Sequence, residues 1–137
     1  MAVFVVDASV ALAWCFEDES STLADALLDR LRRGDQIVVP AHWPTEISNG
    51  LLVALRKNRI KAGQPALFWD EPARLPIDTE SALSAIAAKA VLAIGEKHGL
   101  TIYDAAYLEL AQRRNLPLGT LDTDLRNAAQ KEGVALL

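Results

Sequence analysis

Short apolar runs alternating with longer amphipathic segments predict an α/β fold, a three-layer sandwich whose mainly parallel central sheet is flanked by helices. Three observations lead there. Residues 3–6, 37–39 and 118–121 are apolar runs of strand length, closed by an acid or a proline. The segments between them repeat apolar residues at three- and four-residue spacing, the period of a helix. The chain has 137 residues, 51% of them hydrophobic, enough for one domain over residues 1–137 with a core that needs no staple.

Taken in order, residues 3–6 read as a buried strand ending at Asp7, followed by a loop carrying Glu17, Asp18 and Glu19. Leu23, Leu27 and Leu31 predict a helix over 22–33, with residues 20–22 as cap candidates and Gly34 as its stop. After a strand over 37–39, Pro44 suits the first turn of a helix running to about residue 57, striped by Ile47, Leu51, Leu52 and Leu55. A short helix is expected over 63–73. Residues 75–77 form an edge strand or a loop, because Pro76 has no N–H to donate. A helix over 81–97 turns Leu83, Ile86, Ala90, Val91 and Ile94 toward the core, and Gly99 ends it. A helix over 103–114 carries Ala106, Tyr107 and Leu110 on one side. A strand over 118–121, a helix over 124–131 and a last strand over 134–137 complete the chain.

Composition narrows the classes of function. A single cysteine, Cys15, excludes an intramolecular disulfide and leaves too few thiols for a structural zinc site. The opening MAVFVVDAS lacks the basic start of a secretory signal. The longest apolar stretch, 82–94, contains Lys89 and falls short of the ~20 residues that span a bilayer. The expectation is a cytoplasmic protein with no membrane partner. A net charge of −4 argues against nucleic-acid binding. Setting five clustered acids aside, however, leaves thirteen against fourteen Lys and Arg. The bases gather at Arg30, Arg32 and Arg33, at Arg56, Lys57, Arg59 and Lys61, and at Arg113 and Arg114. Solvated helix ends and a nucleic-acid-facing role both suit these clusters.

The acids carry the functional argument. Ligands of open parallel sheets bind beyond the carboxyl ends of the strands. Asp7 and Asp122 end strands, with Asp124 close behind, while Glu46 and Asp104 open the helices that follow a strand and a loop. All four are expected at one edge of the sheet. Taken singly, Glu46, Asp104 and Asp122 suit helix first turns or caps equally well. Asp7 has no obvious helix to cap and would be costly to bury unpaired. Two carboxylates ~4 Å apart repel by ~4 kcal/mol at an effective dielectric of 20, so such a cluster needs protons or a cation. Oxygen-only donors suit hard Mg²⁺ or Mn²⁺. His98 reads as a cationic helix end, and His42 stays open. No phosphate-binding glycine loop and no nucleophile elbow is present.

Four segments, FVVDASV, PTEISNGLL, LTIYDAAYLELA and GTLDTDL, stand in the order and spacing of the PIN-domain nucleases. Over nearly its whole length the chain resembles that family, and within it the bacterial VapC-type toxins. The resemblance implies metal-site acids at Asp7, Glu46, Asp104 and Asp122, with Asp124 in support. It also implies that Ser9 and Thr120 orient carboxylates or waters. It further implies Mg²⁺-dependent endonucleolytic cleavage of RNA, with Mn²⁺ as substitute, often of structured RNA such as tRNA. The implied partners are a VapB-type antitoxin and a second copy of the chain. Two other readings compete. A phosphoacceptor domain would pair acids after its first strand, where Asp7 stands alone, and keep a late lysine, which residues 120–125 do not offer. A non-catalytic interaction module could dock through Trp14, Phe16, Trp43 and Trp69, although core filling explains those residues as well.

Overall fold

A computed structural model describes residues 1–19 and 21–137. Its elements run β1 (Val3–Val6), α1 (Ala8–Cys15), a 3₁₀ turn (Glu17–Glu19), α2 (Thr22–Arg32), β2 (Gln36–Val39), α3 (Trp43–Arg56) and α4 (Gln64–Phe68). A second 3₁₀ turn (Pro72–Arg74), β3 (Ile77–Thr79), α5 (Ala85–His98), α6 (Ile102–Arg114), β4 (Leu118–Gly119) and α7 (Thr123–Lys131) follow. The sheet has the order β3-β2-β1-β4 and every pair is parallel, as the alternation of strands and helices predicts. The helices pack in two groups, α1 to α4 among themselves and α5 to α7 among themselves. Phe4, Val5, Val6, Ile37 and Val38 lie wholly buried between them.

The differences from the predicted elements have local causes. α1 is absent from the sequence reading because ASVALAWC is apolar on every side and shows no stripe. α5 starts at Ala85 because Ser84 caps it, its Oγ accepting from the Ala87 amide at 3.1 Å. The helix expected over 63–73 stops at Phe68, and the proline that opens the next 3₁₀ turn removes one intrahelical donor. The third strand begins only after Pro76 and takes an edge position. The expected last strand over 134–137 is one parallel bridge, Leu118 to Leu136, because β4 has only two residues to offer. Ser21 caps α2, its Oγ accepting from the Ala24 amide at 3.2 Å; Ser20, another cap candidate, lies outside the described residues.

The largest correction concerns α5, whose predicted apolar stripe meets the core only through Val91 and Ile94. Only Val91 and Gly95 of this helix are buried, while Ile86 is 87% exposed and Leu83 and Leu92 are exposed too. Leu52 of the α3 stripe is likewise exposed. Among the described residues no helix is long and apolar enough to cross a membrane.

Candidate active site

From β1 the sheet grows outward through β2 and β3 on one side, and then β4 docks on the other. The switch point of the sheet therefore lies between β1 and β4, where chains leaving adjacent strands diverge and open a crevice. Asp7 is the first residue after β1, and Asp122 follows β4 by three residues.

Asp7 is 3% exposed. Its Oδ1 accepts from Ser9 Oγ at 2.6 Å and the Val10 amide at 3.3 Å, and its Oδ2 from Thr120 Oγ1 at 2.5 Å. The two hydroxyls in turn accept from backbone amides, Ser9 from Leu121 and Thr120 from Asp122, each at 3.0 Å. This circuit stitches the end of β1 to the end of β4. Asp7 is also the N-cap of α1, which corrects the expectation that it caps nothing. Burial still wins. It pushes the Asp7 carboxyl up to about 6, against the hydrogen bonds from Ser9, Thr120 and Val10, and the charge of Asp104 adds to the rise.

Asp104 stands in the first turn of α6, half-buried, but the cap of that helix is Thr101, whose Oγ1 accepts from the Asp104 amide at 3.1 Å. Burial raises the Asp104 carboxyl, the charges of Asp122 and Glu46 raise it further, and Thr101 and His42 oppose them. Asp122 caps α7, its Oδ1 accepting from the Leu125 amide at 3.0 Å. Glu46, in the first turn of α3, behaves in the opposite sense. Burial raises it, but hydrogen bonds from His42 and Tyr107 outweigh that, and its carboxyl lies below the ordinary glutamate value.

Asp7, Glu46, Asp104 and Asp122 thus share one electrostatic neighbourhood, as their places at strand ends and helix starts predict. Asp124 is exposed in the first turn of α7 and makes no hydrogen bond or ion pair to the other four among the described residues. Among the described residues, no three acidic, histidine or cysteine side chains close into a ready-made metal cage. The arrangement is open. It fits a hard ion that keeps several of its waters, because the donors are all oxygens and carry more negative charge than their surroundings stabilise. Asp7, Glu46, Asp104 and Asp122 are the residues that could hold one.

Two neighbours of the acids went unassigned from sequence. Tyr107, wholly buried, donates its hydroxyl to Glu46 Oε1 at 2.7 Å, and His42 Nε2 lies 3.0 Å from the same oxygen. Helical spacing carries the signal for both, since Tyr107 is three residues after Asp104 and His42 four before Glu46. His42 and Tyr103 also border a groove of about 980 Å³, lined with Leu83, Ile86, Ala90 and Ile102. Each basic cluster is paired with acids in part. Arg30 pairs with Asp35, Arg32 with Glu71, Arg59 with Asp18 and Glu19, and Arg113 with Glu80 and Glu109. Of the aromatic residues, Trp43 and Phe16 are buried and Trp14 and Trp69 pack against the core. Core filling accounts for them.

A four-stranded parallel sheet with carboxylates at its switch point defines a class of small α/β domains built around an acidic crevice. Within that class the chain belongs to the PIN domain family, whose match covers residues 4–131. The chain is similar to Ribonuclease VapC3 of Pyrobaculum aerophilum, with 28% identity over 121 residues, 88% of this chain and 90% of that protein. A crystal structure of a Pyrobaculum aerophilum protein superposes with a TM-score of 0.73 at 22% identity, over 99% of this chain and 92% of that one. VapBC2 from Rickettsia felis, solved bound to a DNA fragment from its promoter, superposes with a TM-score of 0.65 at 14% identity, over 98% and 96% of the two chains. Both solved structures share this chain's fold.

Proposed function

We propose that this protein is a metal-dependent endoribonuclease, the toxin of a toxin–antitoxin pair acting in the cytoplasm. One observation carries the reading: at the β1/β4 switch point a buried Asp7 and a half-buried Asp104 are both held above their ordinary pKa, each raised in part by another acid of the group. A cation relieves that strain. Similarity to a ribonuclease supports RNA as the substrate.

Asp7, Asp104 and Asp122, with Glu46, would hold Mg²⁺, or Mn²⁺ in its place. The bound ion would supply a Lewis acid for the scissile phosphate and lower the pKa of a water. The chain's own residues do the rest. Ser9 and Thr120 hold both oxygens of Asp7, so the carboxylate cannot swing. Glu46, kept ionised, offers an acceptor for a hydrogen bond from the attacking water. Attack by water requires no protein nucleophile, and the expected products carry a 5′-phosphate and a 3′-hydroxyl. The exposed apolar side chains Ile86, Leu92 and Tyr103 support docking of protein, a VapB-type antitoxin and a second copy of the chain.

The test is cleavage of RNA by purified protein with Mg²⁺, with Mn²⁺ and with EDTA, and mapping of the new ends. Cleavage with either ion and none in EDTA or in Asp104→Asn is expected. Cleavage that persists in EDTA and in Asp104→Asn overturns the mechanism.

A further inference from the structure

We propose that Tyr107 and His42 are positioning residues that grip one oxygen of Glu46 and leave the other to face the ion and its water. The inference rests on the metal-site reading above and deepens it.

Both contacts fall on Oε1, the Tyr107 hydroxyl at 2.7 Å and His42 Nε2 at 3.0 Å. Oε2 accepts no hydrogen bond among the described residues. A glutamate gripped at one oxygen keeps its carboxylate plane and presents the second oxygen in a fixed direction.

Each gripping residue is itself held. Tyr107 is 0% exposed, so its ring cannot swing and its hydroxyl needs a partner inside the protein. It lies on α6 one turn beyond Asp104, so the helix that supplies one acid also fixes the orientation of another. His42 occupies the N-cap position of α3 yet makes no side-chain cap; its Nε2 stands 3.0 Å from Glu46 Oε1. The ring packs against Tyr107 with centroids 5.1 Å apart and against Tyr103 at 5.6 Å. The Nε2 hydrogen bond runs to the Tyr103 carbonyl oxygen at 3.1 Å, with Glu46 Oε1 at ion-pair distance beside it. With two acceptors before it, Nε2 must carry a proton, which sets the tautomer. Tyr107 belongs to α6 and His42 is the residue that precedes α3, so Glu46 of α3 is tied to α6 at the level of Asp104.

The alternative is that Glu46 merely satisfies a buried core tyrosine. A double-mutant cycle separates the two, because residues acting through one another are not additive. Mn²⁺ affinity is measured by calorimetry for the wild type, Tyr107→Phe, Glu46→Gln and the double variant, with melting curves confirming that each is folded. Loss of a residue that orients a metal-binding group costs about tenfold or more in affinity. Tyr107→Phe is expected to weaken Mn²⁺ binding by about that factor in the wild type and by less than about twofold when Glu46 is already Gln. His42→Gln, which keeps a donor, should retain more affinity than His42→Ala. Equal losses in both Glu46 backgrounds overturn the inference while leaving the metal site standing. A wild-type chain that takes up no Mn²⁺ overturns the metal site and the inference together.

Discussion

His98 and Glu132 approach to 2.6 Å and His42 and Glu46 to 3.0 Å, but the surroundings of the two pairs differ in sign. Around Glu132 the groups are donors: Lys97 at 2.9 Å and the Gln112 amide at 3.2 Å join His98, and they hold its carboxyl down at about 2. Charge there is settled, and the result is a clasp between the end of α5 and the end of α7. Around Glu46 the next charges are carboxylates, and settling Glu46 leaves Asp104 and Asp7 raised. Histidine beside glutamate therefore does not mark a site. A surplus of one sign that the fold fails to cancel does.

Breaking each side of the comparison should have effects of very different size. In the acidic crevice, Asp104→Asn should lower RNA cleavage by on the order of 10³-fold, since a metal site supplies several kcal/mol to the transition state. Melting temperature should barely move, and circular dichroism checks that. In the clasp, His98→Ala should leave cleavage intact and cost about 2 kcal/mol in denaturant unfolding, because the ring is buried and Glu132 loses its closest partner.

The two regions should also respond to pH in opposite senses. Asp7 is raised from its ordinary 3.8 to about 6, so the folded chain binds its proton more tightly than the unfolded one. Its contribution is full below about pH 3.8 and is lost as pH rises through about 6. Glu132 is lowered, so its contribution is present above its ordinary 4.5 and is lost as pH falls through about 2. In EDTA, wild-type stability should decline between pH 5 and 7.5, by on the order of 1 kcal/mol, and Asp7→Asn should remove most of that decline. Asn is the right probe here, because Ala would also strip α1 of its cap. The smallest effect is expected for Lys97→Ala, about 0.5 kcal/mol, because Lys97 is mostly exposed and its charge is screened by solvent.

The sheet and most helices were legible because burial imposes period: four apolar residues before Asp7, or Leu23, Leu27 and Leu31 along α2, state their own geometry. α1 was not, since a helix apolar on every side has no stripe to read. α5 misled for the opposite reason, its apolar residues being too many for the single core they were assigned to. The acids of the crevice were legible from position alone, because strand ends converge. Their supports were only half so. Ser9 and Thr120 stand beside acids in sequence, whereas the hydroxyl of Tyr107 looks like one more core residue until Glu46 is placed against it.

The stitch between β1 and β4 joins residues more than a hundred positions apart. During synthesis, β1, β2 and β3 all leave the ribosome before β4 exists. Until Thr120 arrives, Asp7 lacks one of its two hydroxyl donors, and Asp122 is not yet part of the chain. A product that stops short of Leu118 has no crevice at all. No product that stops short of Asp122 carries the assembled set of carboxylates, so the crevice is a late feature of the growing chain.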